Sequence, residues 1–293
     1  MARVNGWSTL RVDGLELCHD PQIPAEIVGE AIARHRANAA LGRDACEHWG
    51  PASSVSRVEL TAGDGARFDL AVKWNHPRGL RRALVEGRRG SRAARATRGA
   101  EVLARIGIAS PEVRAIAESR RAGGVRESFL LTTFLDDALP LPVAMPALRE
   151  DRARRRAAAR ELGDLIGKLH AAGFDHGDLK HSNLLLQADG RFALLDLDSM
   201  IPPRRPGLRQ RARALGQLEA YAVDLYPWLP RTDRARFFAS YLEHDDALRM
   251  QRRELAKRAT RWAARRLASW SRRDRSDHYH YPLAPRGAPG RGS

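Results

Sequence analysis

The sequence predicts an α+β chain, a small antiparallel sheet with one helix followed by a mainly helical half. Three observations carry that expectation. Short apolar runs bounded by Gly and polar turns fill residues 53–135, which is the pattern of strands. After residue 150 the apolar side chains recur at helical spacing, as in Leu162, Leu165, Ile166 and Leu169. Beyond that helix comes His176-Gly177-Asp178-Leu179-Lys180-His181-Ser182-Asn183, a stretch dense in polar side chains, with Asp196 downstream of it.

Composition bounds the function. A chain of 293 residues with 43% apolar content buries a sizeable core. No apolar run reaches the length of a membrane span, the longest being Phe129–Leu135, and Met1–Leu10 lacks the apolar core of a signal peptide. Cys18 and Cys46 make neither a metal cluster nor a disulfide framework, so the expected compartment is the cytoplasm. The net charge of +16 comes almost wholly from Arg, since Lys occurs only at 73, 168, 180 and 257. It implies anionic partners, among them nucleotide phosphates and an acidic lipid surface. Nucleic acid is disfavoured, because aromatic residues are only 6% and do not interleave with the basic runs.

Taken in order, residues 1–20 alternate weakly, as an N-terminal strand or an irregular cover, and Ala25–Arg36 is a short helix. Val58–Leu60 and Phe68–Trp74 are strands about the turn Gly63-Asp64-Gly65. Residues 78–98 carry eight Arg against one Glu, and Ser91 caps the helix that follows. Pro111–Ala117 and Ser128–Leu135 are two further strands. A link punctuated by Pro140, Pro142 and Pro146 leads to the helix of the Leu162 stripe, which Gly173 stops. Leu184–Leu186 and Phe192–Leu195 form a hairpin about Gln187-Ala188-Asp189-Gly190. A basic helix starts at Arg209–Arg213, another helix runs from about Thr232, and a last one spans residues 246–270 with Leu248, Leu255 and Trp262 a heptad apart. Residues 271–293 have the composition of a disordered basic tail.

The polar stretch has the order of a phosphoryl-transfer centre. Asp178 is the candidate base that orients an acceptor hydroxyl, and Lys180 the candidate that offsets charge on the moving phosphoryl group. Asn183 and Asp196 are the candidate metal ligands, which the hairpin returns to one place. Lys73, ending the apolar Ala71-Val72, is the candidate phosphate clamp, with Glu101 as its partner and Glu86 as the alternative. Ser53 and Ser54 are candidate phosphate contacts, and Thr133, Phe134 and Leu135 a hinge whose backbone holds a nucleobase.

Together these residues resemble the protein-kinase-like fold and, within it, the bacterial lipopolysaccharide core kinases that act on Kdo and heptose. The shared features are Ala71-Val72-Lys73, Gly90-Ser91-Arg92-Ala93, Gly107–Pro111, His176-Gly177-Asp178 with Asn183, and Leu195-Asp196-Leu197-Asp198. Arg209–Leu215, Arg231–Phe238 and Tyr241-Leu242 are also similar to that family. Gly177 stands where protein kinases carry Arg, Leu197-Asp198 replaces Phe-Gly, and the helix Glu aligns nearer Ala96 or Gly99 than Glu101. The resemblance implies a two-lobed fold: an extension over 1–48 packed on a sheet lobe over 49–135, a helical lobe over 136–270, and the tail. It also implies ATP and Mg2+ as cofactors and a sugar hydroxyl of the lipopolysaccharide inner core as acceptor, with peripheral contact at the inner membrane and no obligate protein partner. Residues 197–270 leave little room for segments that dock a polypeptide, which suits a compact acceptor. The rival readings are a phosphotransferase for an aminoglycoside or choline, whose cationic charge the Arg-rich surface disfavours, and a kinase-fold module that only binds an anionic surface.

Overall fold

A computed structural model describes residues 4, 6–50, 52–75, 79–200 and 205–272, so the expected tail lies outside the described residues. The chain divides into two compact units, Met1–Val102 with Pro111–Leu135, and Leu103–Ser110 with Asp136–Ser293.

The first unit is built on β1 (Ser8–Val12), β2 (Leu15–His19), α1 (Ala25–Leu41), β3 (His48–Gly50), β4 (Ser53–Thr61), β5 (Arg67–Asn75), α2 (Leu80–Arg89), α3 (Arg92–Arg105), β6 (Val113–Arg121) and β7 (Gly124–Thr133). Its seven strands pair antiparallel in the order β1-β2-β6-β7-β5-β4-β3. Residues 8–19 thus enter the sheet as strands, one of the two forms that their weak alternation allows. Strand alternation sends Val58, Leu60, Leu70, Val72, Phe129 and Leu131 to one face, where Ile27, Val28, Ala31 and Ile32 of α1 cover them. One turn on, the fully buried His35 ring bonds Ser56 Oγ at 2.8 Å and Ser54 Oγ at 3.0 Å. Burial pushes its pKa down to about 4. On the opposite face Cys18 and Ile116 pack against Ala93 of α3. Ser91 caps α3, its Oγ accepting from Ala94 N at 3.0 Å while its hydroxyl donates to the buried Glu118 carboxylate.

The second unit contains β8 (Ala138–Pro140), α4 (Leu141–Glu150), α5 (Arg152–Ala171), β9 (Leu184–Gln187), β10 (Phe192–Leu194), α6 (Leu208–Leu225), α7 (Arg231–Leu242), α8 (Asp246–Met250) and α9 (Arg252–Trp270). The Pro-punctuated link is in fact helix α4. Pro142 falls in its first turn, where the missing N–H costs nothing, and Leu141, Ala144, Met145 and Leu148 form its buried stripe. Asp151 caps α5 by accepting from Arg154 N at 2.9 Å. Glycines let α5 lie close on α7, since a Cβ at Gly163 would stand 2.2 Å from Phe237 O and one at Gly167 would stand 2.7 Å from Tyr241 O. The helix expected over residues 246–270 breaks at Gln251, whose N–H bonds Leu248 O at 2.9 Å in place of the helical partner four residues back. Leu103–Ser110 belongs to this unit, where Leu194 N donates to Ala109 O at 2.9 Å and Ala109 bridges Ala193.

Two expectations follow. Gly163→Ala drives a methyl into the α7 backbone and lowers stability by about 1–3 kcal/mol, read as a fall in denaturant midpoint; an unchanged midpoint contradicts the close α5–α7 packing. A histidine whose folded pKa is depressed binds its proton in the unfolded chain first. The His35 contribution is therefore complete above about pH 6.5 and is lost as pH falls through the folded value of about 4. Equilibrium unfolding across that window shows a steeper acid decline for wild type than for His35→Gln.

Candidate active site

The loop that follows α5 is built by its own backbone. Phe174 N bonds Leu169 O at 3.1 Å, and Asp175 Oδ1 accepts from Gly177 N at 3.1 Å, turning the chain back on itself. His176 is fully buried, and its Nε2–H donates to Leu195 O at 2.8 Å. Gly177 has φ +78°, and a Cβ there would stand 2.2 Å from Ser199 O. Both facts exclude a side chain, which explains why the Arg of protein kinases has no counterpart here.

Asp178 emerges with its carboxylate 39% exposed. Lys180 Nζ approaches its Oδ2 at 3.2 Å, and Gln217 Nε2 on α6 donates to its Oδ1 at 3.3 Å. Asn183 closes the loop, its Nδ2 donating to Asp178 O at 2.9 Å, which leaves Oδ1 as the amide's acceptor for a cation. The β9–β10 hairpin pairs Leu184 with Leu194, and Leu195 N then bonds Asn183 O at 2.9 Å. Asp196, one residue on, is thereby held next to Asn183 in the left-handed region, at φ 59° and ψ 53°. A non-glycine residue adopts that conformation at a cost of roughly 1–3 kcal/mol, a form of strain concentrated at functional sites.

Between Lys180 and Asn183, His181 is buried edge-on against Tyr221 with ring centroids 4.3 Å apart. Burial, then the charge of Lys180, pushes its pKa down to about 4, so at neutral pH it packs as an uncharged ring. Burial likewise raises the Tyr221 phenol. His181 and Tyr221 also wall an apolar cavity of about 270 Å³, lined further by Leu141, Leu162, Leu215 and Phe237. Neither this ring pair nor Gln217 is marked by the sequence, where a lone Gln or Tyr within a helix has no motif.

The remaining candidates lie in the first unit. Lys73, half-buried on β5, pairs with Val55 and Leu130 and so lies on the sheet face opposite Val72. Glu101 is on the exposed side of α3, whereas Glu86 is buried on α2. Ser53 is half-buried at the start of β4. Ser54 departs from expectation, because its side chain is 1% exposed and its hydroxyl is taken up by His35, so it is no phosphate contact. In the expected hinge, Thr133 N bonds Glu112 O and Phe134 N bonds Asp69 O, both at 2.9 Å. The Arg57 guanidinium lies 4.2 Å from the Phe134 ring centroid. These bonds occupy two of the three backbone donors of the expected hinge.

With this geometry in hand, comparison with known proteins is direct. The "WaaP in complex with acyl carrier protein" structure superposes with a TM-score of 0.60 over 86% of this chain and 98% of that one, at 22% identity. The fold is thus the α+β, protein-kinase-like one. The 3-deoxy-D-manno-octulosonic acid kinase of Xanthomonas campestris pv. campestris (strain B100) is 38% identical over 73 residues, 25% of this chain and 29% of that protein. A probable bifunctional tRNA threonylcarbamoyladenosine biosynthesis protein of Methanosarcina barkeri (strain Fusaro / DSM 804) is 38% identical over 92 residues, 29% of this chain and 15% of that protein. The chain therefore spans less than a third of the length of these curated relatives. The model of the lipopolysaccharide kinase (Kdo/WaaP) family matches residues 87–241, which include the whole loop, its hairpin and Gln217, and the chain belongs to that family.

Proposed function

We propose that the chain is an ATP- and magnesium-dependent transferase that phosphorylates a sugar hydroxyl, of Kdo or heptose, in the lipopolysaccharide inner core. The observation that carries this reading is the Asp178 carboxylate, half-exposed and oriented by Lys180 and Gln217, with Asn183 and Asp196 brought together one hairpin away. Asp178 accepts the proton of the acceptor hydroxyl as that oxygen bonds the γ-phosphorus and the bond to the ADP oxygen breaks. Lys180 offsets charge on the phosphoryl group in transit. Lys73, Ser53 and Leu135 of the first unit are proposed nucleotide contacts, and Glu101 or Glu86 the carboxylate that steadies Lys73.

The donor set suits magnesium. Asn183 and Asp196 offer amide and carboxylate oxygen, the hard donors such a cation takes, and these two residues would hold it while nucleotide phosphate and water supplied the remaining ligands. Bound there, magnesium would supply positive charge against that of the nucleotide phosphates.

Partners follow from charge and from the relatives. Arg252, Arg253, Lys257, Arg261 and Arg265 are exposed on α9 and fit an anionic glycolipid at the cytoplasmic face of the inner membrane, bound peripherally. Among the described residues no helix is long and apolar enough to cross a membrane. The same surface disfavours the cationic acceptors of aminoglycoside or choline kinases. Because WaaP was solved with acyl carrier protein, that protein is a candidate partner, and the apolar cavity of about 270 Å³ suits an alkyl chain. This replaces the expectation of no obligate protein partner.

The test is transfer from labelled ATP to extracted lipopolysaccharide core. Label enters the glycolipid with wild type, and Asp178→Ala lowers the rate roughly a hundredfold or more while ATP still binds. Label released only as free phosphate, or undiminished transfer by the variant, overturns the reading.

A further inference from the structure

Asp178 is reached from outside its own loop by a single helix turn. Gln217 and Tyr221 are one turn apart on α6 and point to the same loop. Gln217 Nε2 donates to Asp178 Oδ1 at 3.3 Å, while the Tyr221 ring meets His181 at 4.3 Å. Helix α6 is in turn braced by α9. A Cβ at Gly216 would stand 2.6 Å from both Ala259 O and the Trp262 side chain, so the two helices are as close as their backbones allow. Trp270 stacks at a tilt on Tyr221 at 4.8 Å, and the Arg266 guanidinium lies 5.4 Å from the Trp270 ring centroid. The backbone that carries Gln217 is thus held by a closely packed pair of helices.

From this geometry we infer that Gln217 is the positioning residue of the transfer reaction, an inference that rests on the phosphotransferase reading above. It holds Oδ1 through a neutral donor, so that Oδ2, which Lys180 approaches at 3.2 Å, turns its remaining lone pair to the acceptor hydroxyl. Lys180 is the charged group at Oδ2, and the groups facing the carboxylate from α6 and α9 are Gln217, Tyr221 and, behind Tyr221, Arg266. A neutral amide suits this place for a stated reason. A second cation at Oδ1 would compete with the hydroxyl proton for the carboxylate, whereas an amide fixes orientation and leaves the charge available. Misplacement of a reacting group by about 1 Å is enough to cost on the order of a hundredfold in rate.

The experiment compares Gln217→Ala, Gln217→Met and Gln217→Glu with wild type in the transfer assay. Gln217→Met keeps the side chain's length and removes only the donor, and it stands in if the alanine variant does not fold. The expected result is a kcat lower by about 10- to 100-fold in both apolar variants, with KM for ATP unchanged. Combined with Asp178→Ala, Gln217→Met costs nothing further, because its effect passes through a carboxylate that is no longer there. Gln217→Glu regains activity relative to wild type as the pH is lowered from neutral, when a protonated carboxyl restores the donor; Gln217→Met does not. Wild-type kcat in Gln217→Met, or a full additional loss in the double variant, overturns the assignment. If Asp178→Ala itself turns over at the wild-type rate, the phosphotransferase reading has failed instead, and the two failures are separate.

Discussion

Both backbone groups of Leu195 are tied to the loop before the hairpin, and the rest of the site depends on that constraint. Its N–H bonds Asn183 O, and its carbonyl accepts from the buried His176 ring. One residue thus fixes the start and the end of residues 176–183, and the next residue, Asp196, has no freedom to relax from its left-handed conformation. The strain is supported because the β9–β10 hairpin, Ala109 and the buried His176 over-determine the backbone around it. Gly177 belongs to the same constraint, since any side chain there would push Ser199 away and open the turn that follows Asp196.

The large positive charge serves two separate ends. Part of it is internal: Arg211 is 3% exposed and bonds Asp245 Oδ2 at 3.0 Å, Tyr241 Oη at 3.1 Å and Pro206 O at 2.9 Å, joining α6 to the end of α7. Such a desolvated cation is tolerated only because every direction of its guanidinium meets an acceptor. It also helps burial to push His170 down to about 3, which keeps that ring neutral in the core. Arg252, Arg253, Lys257, Arg261 and Arg265 on the outer face of α9 are exposed to solvent instead. The identical residue type reads alike in sequence and means opposite things in the fold.

What the sequence discloses depends on how far apart the interacting residues are. Asp178, Lys180, Asn183 and Asp196 were legible because a single loop and hairpin set their geometry. The strands about Gly65 and the capping by Ser91 were legible for the same local reason. Gln217 was not, because its contact with Asp178 spans 39 positions and an isolated Gln on a helix has no pattern. Ser54 departs from its reading because a Ser after a Gly-Pro loop signals phosphate only if its hydroxyl faces outward, and on β4 that hydroxyl is taken up by His35, 19 positions away. Helix α4 hid behind its prolines: Pro140 is its N-cap and Pro142 lies in its first turn, places visible only once the helix start is known, while Pro146 lies inside it. The break at Gln251 interrupts a heptad pattern that apolar spacing alone would continue.

The central claim is that the hairpin brings Asn183 and Asp196 together as a magnesium site for a bound nucleotide. Calorimetric titration of ATP into wild type and Asp196→Asn, with and without magnesium, tests it most directly. The account predicts that magnesium strengthens ATP binding to wild type and does so far less, or not at all, in the variant, with metal-free binding alike in the two. An Asp196→Asn protein that keeps the full magnesium-dependent gain would contradict it.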